Sequence, residues 1–135
     1  MRKNQPVQIV ASLRDALLEQ AARTAPRECC GLLLGAGQHI NAIVPTDNMA
    51  ADPLRHFEID PQALIDAHRA ARGGGPQVLG YYHSHPTGIA APSATDRAMA
   101  AGDGMIWAIV AAGDVAFWRD DEAGFTPLAV PSVAG

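Results

Sequence analysis

Apolar residues change their spacing several times along the chain, and each change marks an element. Residues 7–10 read as a short strand. Leu13, Ala16, Leu17 and Ala21 then recur at three- and four-residue intervals, which predicts a helix over 13–24 with Ser12 as its N-cap and Pro26 as its stop. Residues 29–34 form an unbroken apolar run flanked by Gly35 and Gly37, the pattern of a strand buried on both faces, and 40–44 can return beside it as a hairpin partner. Residues 55–60 alternate, with Phe57 and Ile59 on one side, before Pro61 opens a helix running to about residue 71 that Gly73, Gly74, Gly75 and Pro76 close. A second buried strand over 78–82 ends at Pro86. The loop 87–92 leads to a short helix starting at Ser93, and 105–110, 115–119 and 125–128 complete a run of strands. Strands and helices intermix without a regular βαβ rhythm, so the chain is expected to be α/β, a mixed sheet flanked by two or three helices.

Composition narrows this picture. A chain of 135 residues fits one domain over 1–135, on a prior of roughly 150 residues per domain, and buries about two thirds of its unfolded surface without disulfides. With 48% hydrophobic and 18% charged residues, disorder is excluded for the chain as a whole. The formal net charge is −4 and Lys3 is the only lysine, so the clustered cations that a nucleic-acid partner needs are missing. No apolar stretch approaches the roughly 20 residues of a spanning helix, and the first residues lead into no signal peptide, which argues against a membrane partner. Cys29 and Cys30 are adjacent, which suits neither an ordinary disulfide nor a zinc knuckle; both are expected to be core thiols of a reduced, cytoplasmic protein. His39, His56 and His68 lack ligand-like neighbours, Trp107 and Trp118 are expected in the core, and Asp120-Asp121-Glu122 is read as a solvated turn.

The chemistry concentrates in His83-Ser84-His85-Pro86 and Ser93-Ala94-Thr95-Asp96. Residues two apart on a strand point the same way, so His83 and His85 present both imidazoles to one side. Ser93 and Asp96, three apart at a helix start, can share a face that looks back at them. Two imidazoles and a carboxylate make a three-ligand site for Zn²⁺ that leaves a tetrahedral position for water. Taken singly, His-x-His is more often a surface or hydrogen-bonded pair, and Ser-x-x-Asp is a capping box that many helices use without function. A metal-bound water needs a proton acceptor, for which Glu28, standing directly before the apolar strand, is the candidate; alone, it reads as a solvated loop end.

Glu28 with Cys30-Gly31-Leu32-Leu33, His83-Ser84-His85-Pro86 and, after seven residues, Ser93-Ala94-Thr95-Asp96 resembles the JAMM (MPN+) metalloprotease family, and no motif position departs from its pattern. The resemblance implies an MPN fold of the cytidine-deaminase-like kind. It implies zinc on His83, His85 and Asp96, Glu28 as general acid/base and Ser93 as a support for the oxyanion. The implied reaction is hydrolysis of a peptide or isopeptide bond after the C-terminal glycine of a ubiquitin-like protein, whose Gly-Gly tail would add to an exposed strand. Segments 53–59 and 87–92, with Phe57 and Ile89, are the expected cleft walls. The chain's short length resembles the compact prokaryotic members linked to sulfur-carrier proteins.

Three other readings compete. A non-haem iron oxygenase also uses two histidines and a carboxylate, but with the acid close to the first histidine. A zinc deaminase needs His-x-Glu and Pro-Cys-x-x-Cys, which are absent. A non-catalytic scaffold would keep the metal for stability and bind a carrier without cutting it. Cys30 shares a strand side with Glu28, which places it near the metal without a ligand role.

Overall fold

The computed structural model describes residues 6–134, so Lys3 and the leading residues on which the signal-peptide reading rests lie outside it. In chain order the elements are β1 (Gln8–Val10), α1 (Ala11–Thr24), β2 (Cys30–Ala36), β3 (His39–Thr46), α2 (Pro61–Arg72), β4 (Gln77–Ser84), α3 (Ala94–Met99), β5 (Ile106–Ala111), β6 (Asp114–Asp121), β7 (Gly124–Leu128) and β8 (Ser132–Val133). The strands form one sheet in the order β7-β6-β5-β4-β2-β3-β1-β8. It is mixed as expected: β4 runs parallel to β5 and β1 parallel to β3 and β8, while the other pairs are antiparallel. No helix among the described residues is long and apolar enough to cross a membrane.

Alternation along the central strands sorts the side chains onto two faces. One carries Ile9, Leu33, Ile40, Tyr82, Ala108, Val110 and Phe117, and α1 packs there with Leu17 fully buried and Leu13, Leu18 and Ala21 around it. The other carries a smaller cluster of Cys30, Phe57 and Trp107, edged by Tyr81, Trp118 and Phe125. Two glycines permit this packing. A Cβ on Gly31 would stand 2.4 Å from the Val44 carbonyl oxygen and 2.5 Å from the Tyr82 ring, and one on Gly80 would stand 1.8 Å from the Ile106 carbonyl oxygen.

Two expectations need correction. Ser12 does not cap α1: the helix starts two residues earlier than expected, at Ala11 directly after β1, with Val10 at the N-cap and no side-chain cap bond. Residues 55–60 form no strand; a single bridge joins Ile59 to Asn48. Asn48 takes the ladder's place, since its Nδ2 donates to the carbonyls of Glu28 and His56 and its Oδ1 accepts from Ala50 and Glu58 N–H. A side chain that satisfies the loop's backbone removes the need for a paired strand. By contrast, Pro61 starts α2 as read, and the structure adds Asp60 as its cap, the carboxylate accepting from Gln62 N–H.

Candidate metal centre and its cleft

Neighbouring strands bring the motif residues together. Cys30 and His83 are register partners on β2 and β4, so Glu28, two residues before Cys30, arrives beside the end of β4. Ser84, to which the sequence reading gave no task, locks this junction: its Oγ accepts from Cys29 N–H at 2.8 Å and its own N–H donates to the Cys29 carbonyl at 3.1 Å. Beyond β4, His85 N–H donates to the Val110 carbonyl at 2.8 Å and keeps that residue in line.

The two imidazoles do face one side, with His83 Nε2 and His85 Nε2 3.0 Å apart. Asp96 lies across both. Its Oδ1 is 3.1 Å from His83 Nε2 and its Oδ2 is 3.2 Å from His85 Nε2. The ligand atoms of Glu28, His83 and His85 all fall within 4.8 Å of one another. All five singled-out residues therefore meet, because Ser93 caps α3 in the capping box that the sequence allows: its Oγ accepts from Asp96 N–H, and its own N–H donates to Asp96 Oδ2.

The electrostatics follow from burial. His83 is fully buried, and desolvation pushes its pKa down, which keeps the imidazole neutral. Burial works against the Asp96 carboxylate too, but hydrogen bonds from His83, His85 and the Ser93 N–H outweigh it and hold the acid well below the usual carboxylate range. Glu28 is 5% exposed, and burial pushes it up to about 7, against the pull of His85 and with the repulsion of Asp96 and Asp52.

One hydrogen bond tests whether a metal fits. His85 Nδ1 is 2.8 Å from the Ile89 carbonyl oxygen, which only accepts, so Nδ1 carries the proton. That leaves Nε2, 3.2 Å from an Asp96 carboxylate oxygen, as the nitrogen that points into the cluster and is free to ligate once its proton is lost. Burial works against a charged His85 ring, but the bonds to Asp96 and to the Ile89 carbonyl outweigh it and push the His85 pKa up, so Nε2 faces Asp96 either through a proton or through a cation that takes the proton's place. The second nitrogen bonded to a backbone carbonyl is also the usual support of a metal-bound histidine. His83, His85 and Asp96, with Glu28 close by, are thus a donor set that suits a divalent ion.

Phe57 stacks on the His83 ring at 4.1 Å and 14°, and Trp107 meets it edge-on at 5.8 Å. Phe57 is 6% exposed and belongs to this aromatic box, which corrects its expected place on the cleft wall. Ile89 stays on the wall. It is 74% exposed and, with Glu28, Leu54, Arg55, His85, Gly88 and Ser93 among its neighbours, lines a cleft of about 430 Å³. Cys30 is the register neighbour of His83, but its Sγ turns to Thr46 Oγ1 at 3.6 Å and burial pushes the thiol up to about 11. Both cysteines are buried and free. His39, His56 and His68 are half-buried outside the cluster, and Trp107 is in the core as read.

The chain matches the family model described as prokaryotic homologs of the JAB domain over residues 10–121. It is 36% identical to the desampylase of Haloferax volcanii over 107 residues, covering 75% of this chain and 77% of that protein. It is 39% identical over 74 residues to a probable TtuB-protein conjugate cleaving protease of Thermus thermophilus, covering 55% of this chain and 49% of that one, so it spans about half of this relative's length. A JAB1/MPN domain protein of Archaeoglobus fulgidus has the same fold, with a TM-score of 0.64 at 20% identity over 94% of this chain and 99% of that one.

Proposed function

The chain belongs to the prokaryotic homologs of the JAB domain, and on that premise we propose that it is a zinc-dependent hydrolase of protein conjugates. His83, His85 and Asp96 hold the ion. Bound there, Zn²⁺ polarises a carbonyl and lowers the pKa of water toward neutrality. Glu28, with its pKa raised to about 7, takes a proton from the attacking water and hands it to the leaving amine. The Ser93 hydroxyl accepts from Asp96 N–H, which leaves its own hydrogen to donate to the oxygen that gains charge. The observation that carries this reading is the convergence of His83 Nε2, His85 Nε2 and the Asp96 carboxylate within about 3 Å of one another, with Glu28 alongside.

The substrate is a ubiquitin-like or sulfur-carrier protein joined through its C-terminal glycine to an amine. The names of two relatives support it, a desampylase and a probable TtuB-conjugate cleaving protease. The cleft supports it as well. Gly88 and Ala91 put small residues on the cleft wall beside His85 and Ser93, which is compatible with the approach of a Gly-Gly tail. The test is incubation of the purified protein with a panel of such carriers extended beyond the diglycine, read by intact mass. Cleavage after the last glycine that chelation abolishes and zinc restores is the expected result. For Glu28→Ala we predict a loss of about a hundredfold or more with zinc still bound; full activity in that variant would remove Glu28 from the mechanism. Binding of a carrier without any cleavage would favour the scaffold.

A further inference from the structure

α3 carries Asp96, yet it has almost nothing of its own to hold it in place. It is six residues long, and Asp96 is its only buried residue, so it has no apolar stripe to pack. A helix this short does not persist unaided. Its position must come from what grips its flanks.

Both flanks are gripped by one face of β6. Ahead of the helix, Trp118 Nε1 donates to the Ala90 carbonyl at 3.2 Å. Behind it, the Asp120 carboxylate accepts from Ala101 N–H at 3.0 Å and Gly102 N–H at 3.1 Å, and the Asp120 backbone pairs with Gly104 and Met105 at 2.8 and 2.9 Å. Trp118 and Asp120 stand two apart on a strand and so point the same way, toward the face that carries His83. Asp120 is 2% exposed, which overturns its reading as part of a solvated turn. No cationic side chain pairs with it among the described residues; the adjacent Arg119 reaches the Gly104 carbonyl and Gln38 instead. A carboxylate buried on backbone N–H groups alone is costly to keep and is satisfied only if those groups stay where they are.

We propose that Trp118 and Asp120 are positioning residues, a two-point mount on β6 that holds α3 so that Asp96 stays against both imidazoles. The ligand role of Asp96 rests on the function proposed above; the mount itself does not. Loss of a residue that supports a metal ligand typically weakens metal binding about 10- to 100-fold.

Hydrogen exchange and zinc affinity test the two parts separately. In the metal-free full chain, Asp120→Ala is expected to speed amide exchange across 94–102 about tenfold or more, with the amides of β2 and β4 unchanged. Asp120→Asn keeps one accepting oxygen and falls between. Trp118→Phe keeps the ring but loses the N–H, and loosens 87–92 alone. Chelator competition is then expected to show zinc held about tenfold more weakly in Asp120→Ala, and unchanged in Leu17→Ala, which destabilises the opposite face. If Asp120→Ala does not fold, Asp120→Asn decides, since a purely structural residue would lower the melting temperature without weakening zinc. Unchanged exchange over 94–102 in the Asp120 variants overturns the mount. Unchanged zinc affinity with faster exchange overturns its link to Asp96. A wild-type chain that binds no zinc overturns the metal reading, while the exchange data still judge the mount.

Discussion

The two faces of the sheet are made by the same strands, yet they solve opposite problems. On β4, Tyr82 turns under α1 and joins an apolar core, its hydroxyl donating to Gln20 at 2.5 Å, while the next residue, His83, turns the other way into a box of Phe57 and Trp107. The α1 face gains stability by removing hydrocarbon from water. The opposite face buries His83, and with Asp96 and Asp120 nearby it buries polar groups that stabilise nothing unless each is partnered. The difference teaches where rigidity comes from. One face is held by packing and tolerates shape-conserving change, whereas the other is held by directional bonds from Asn48, Trp118 and Asp120.

Mutations can break this division or sharpen it. Leu17→Ala, beneath α1, has the largest expected effect on stability, a loss of about 2–5 kcal/mol read from the urea midpoint. Zinc content and activity per folded molecule should stay unchanged, and a fall in either would show that the faces are not independent. Gly31→Ala forces a methyl against the Val44 carbonyl and the Tyr82 ring, and is expected to cost about 1–3 kcal/mol by the same measurement. An unaltered midpoint would mean that the two strands can part at no cost. Phe57→Leu removes the ring stacked on His83, and about 0.5–1.5 kcal/mol should go with it. Unlike the other two, it should also weaken zinc binding, detectable by chelator competition.

Much of the fold was legible because long apolar runs leave few choices. Residues 29–34 and 78–82 had to be central strands, and Pro61 had to open a helix. The convergence of Glu28, His83, His85, Ser93 and Asp96 was legible from strand alternation and helix spacing. What was not legible depends on partners distant in sequence. Ser12 looked like a cap, but β1 runs straight into α1. Phe57 alternates with Ile59 as a cleft residue would, and only the tertiary fold lays it on His83. Asp120 sits in an acidic run whose composition is that of a solvated turn; nothing local reveals that Ala101 and Gly102 turn their N–H groups toward it. A weak signal did exist, because Asp120 follows Trp118 at strand spacing and so had to share its inward face.

The account stands on one ion shared by side chains from β4, α3 and the segment that joins them. Anomalous diffraction at the zinc edge, from crystals of the wild-type chain and of His83→Ala, measures this directly. The wild type is predicted to show one peak bonded to His83, His85 and Asp96 with Glu28 beside it, and His83→Ala to show none there. A zinc peak elsewhere on the chain, or imidazoles turned away from Asp96 in zinc-soaked crystals, would contradict it.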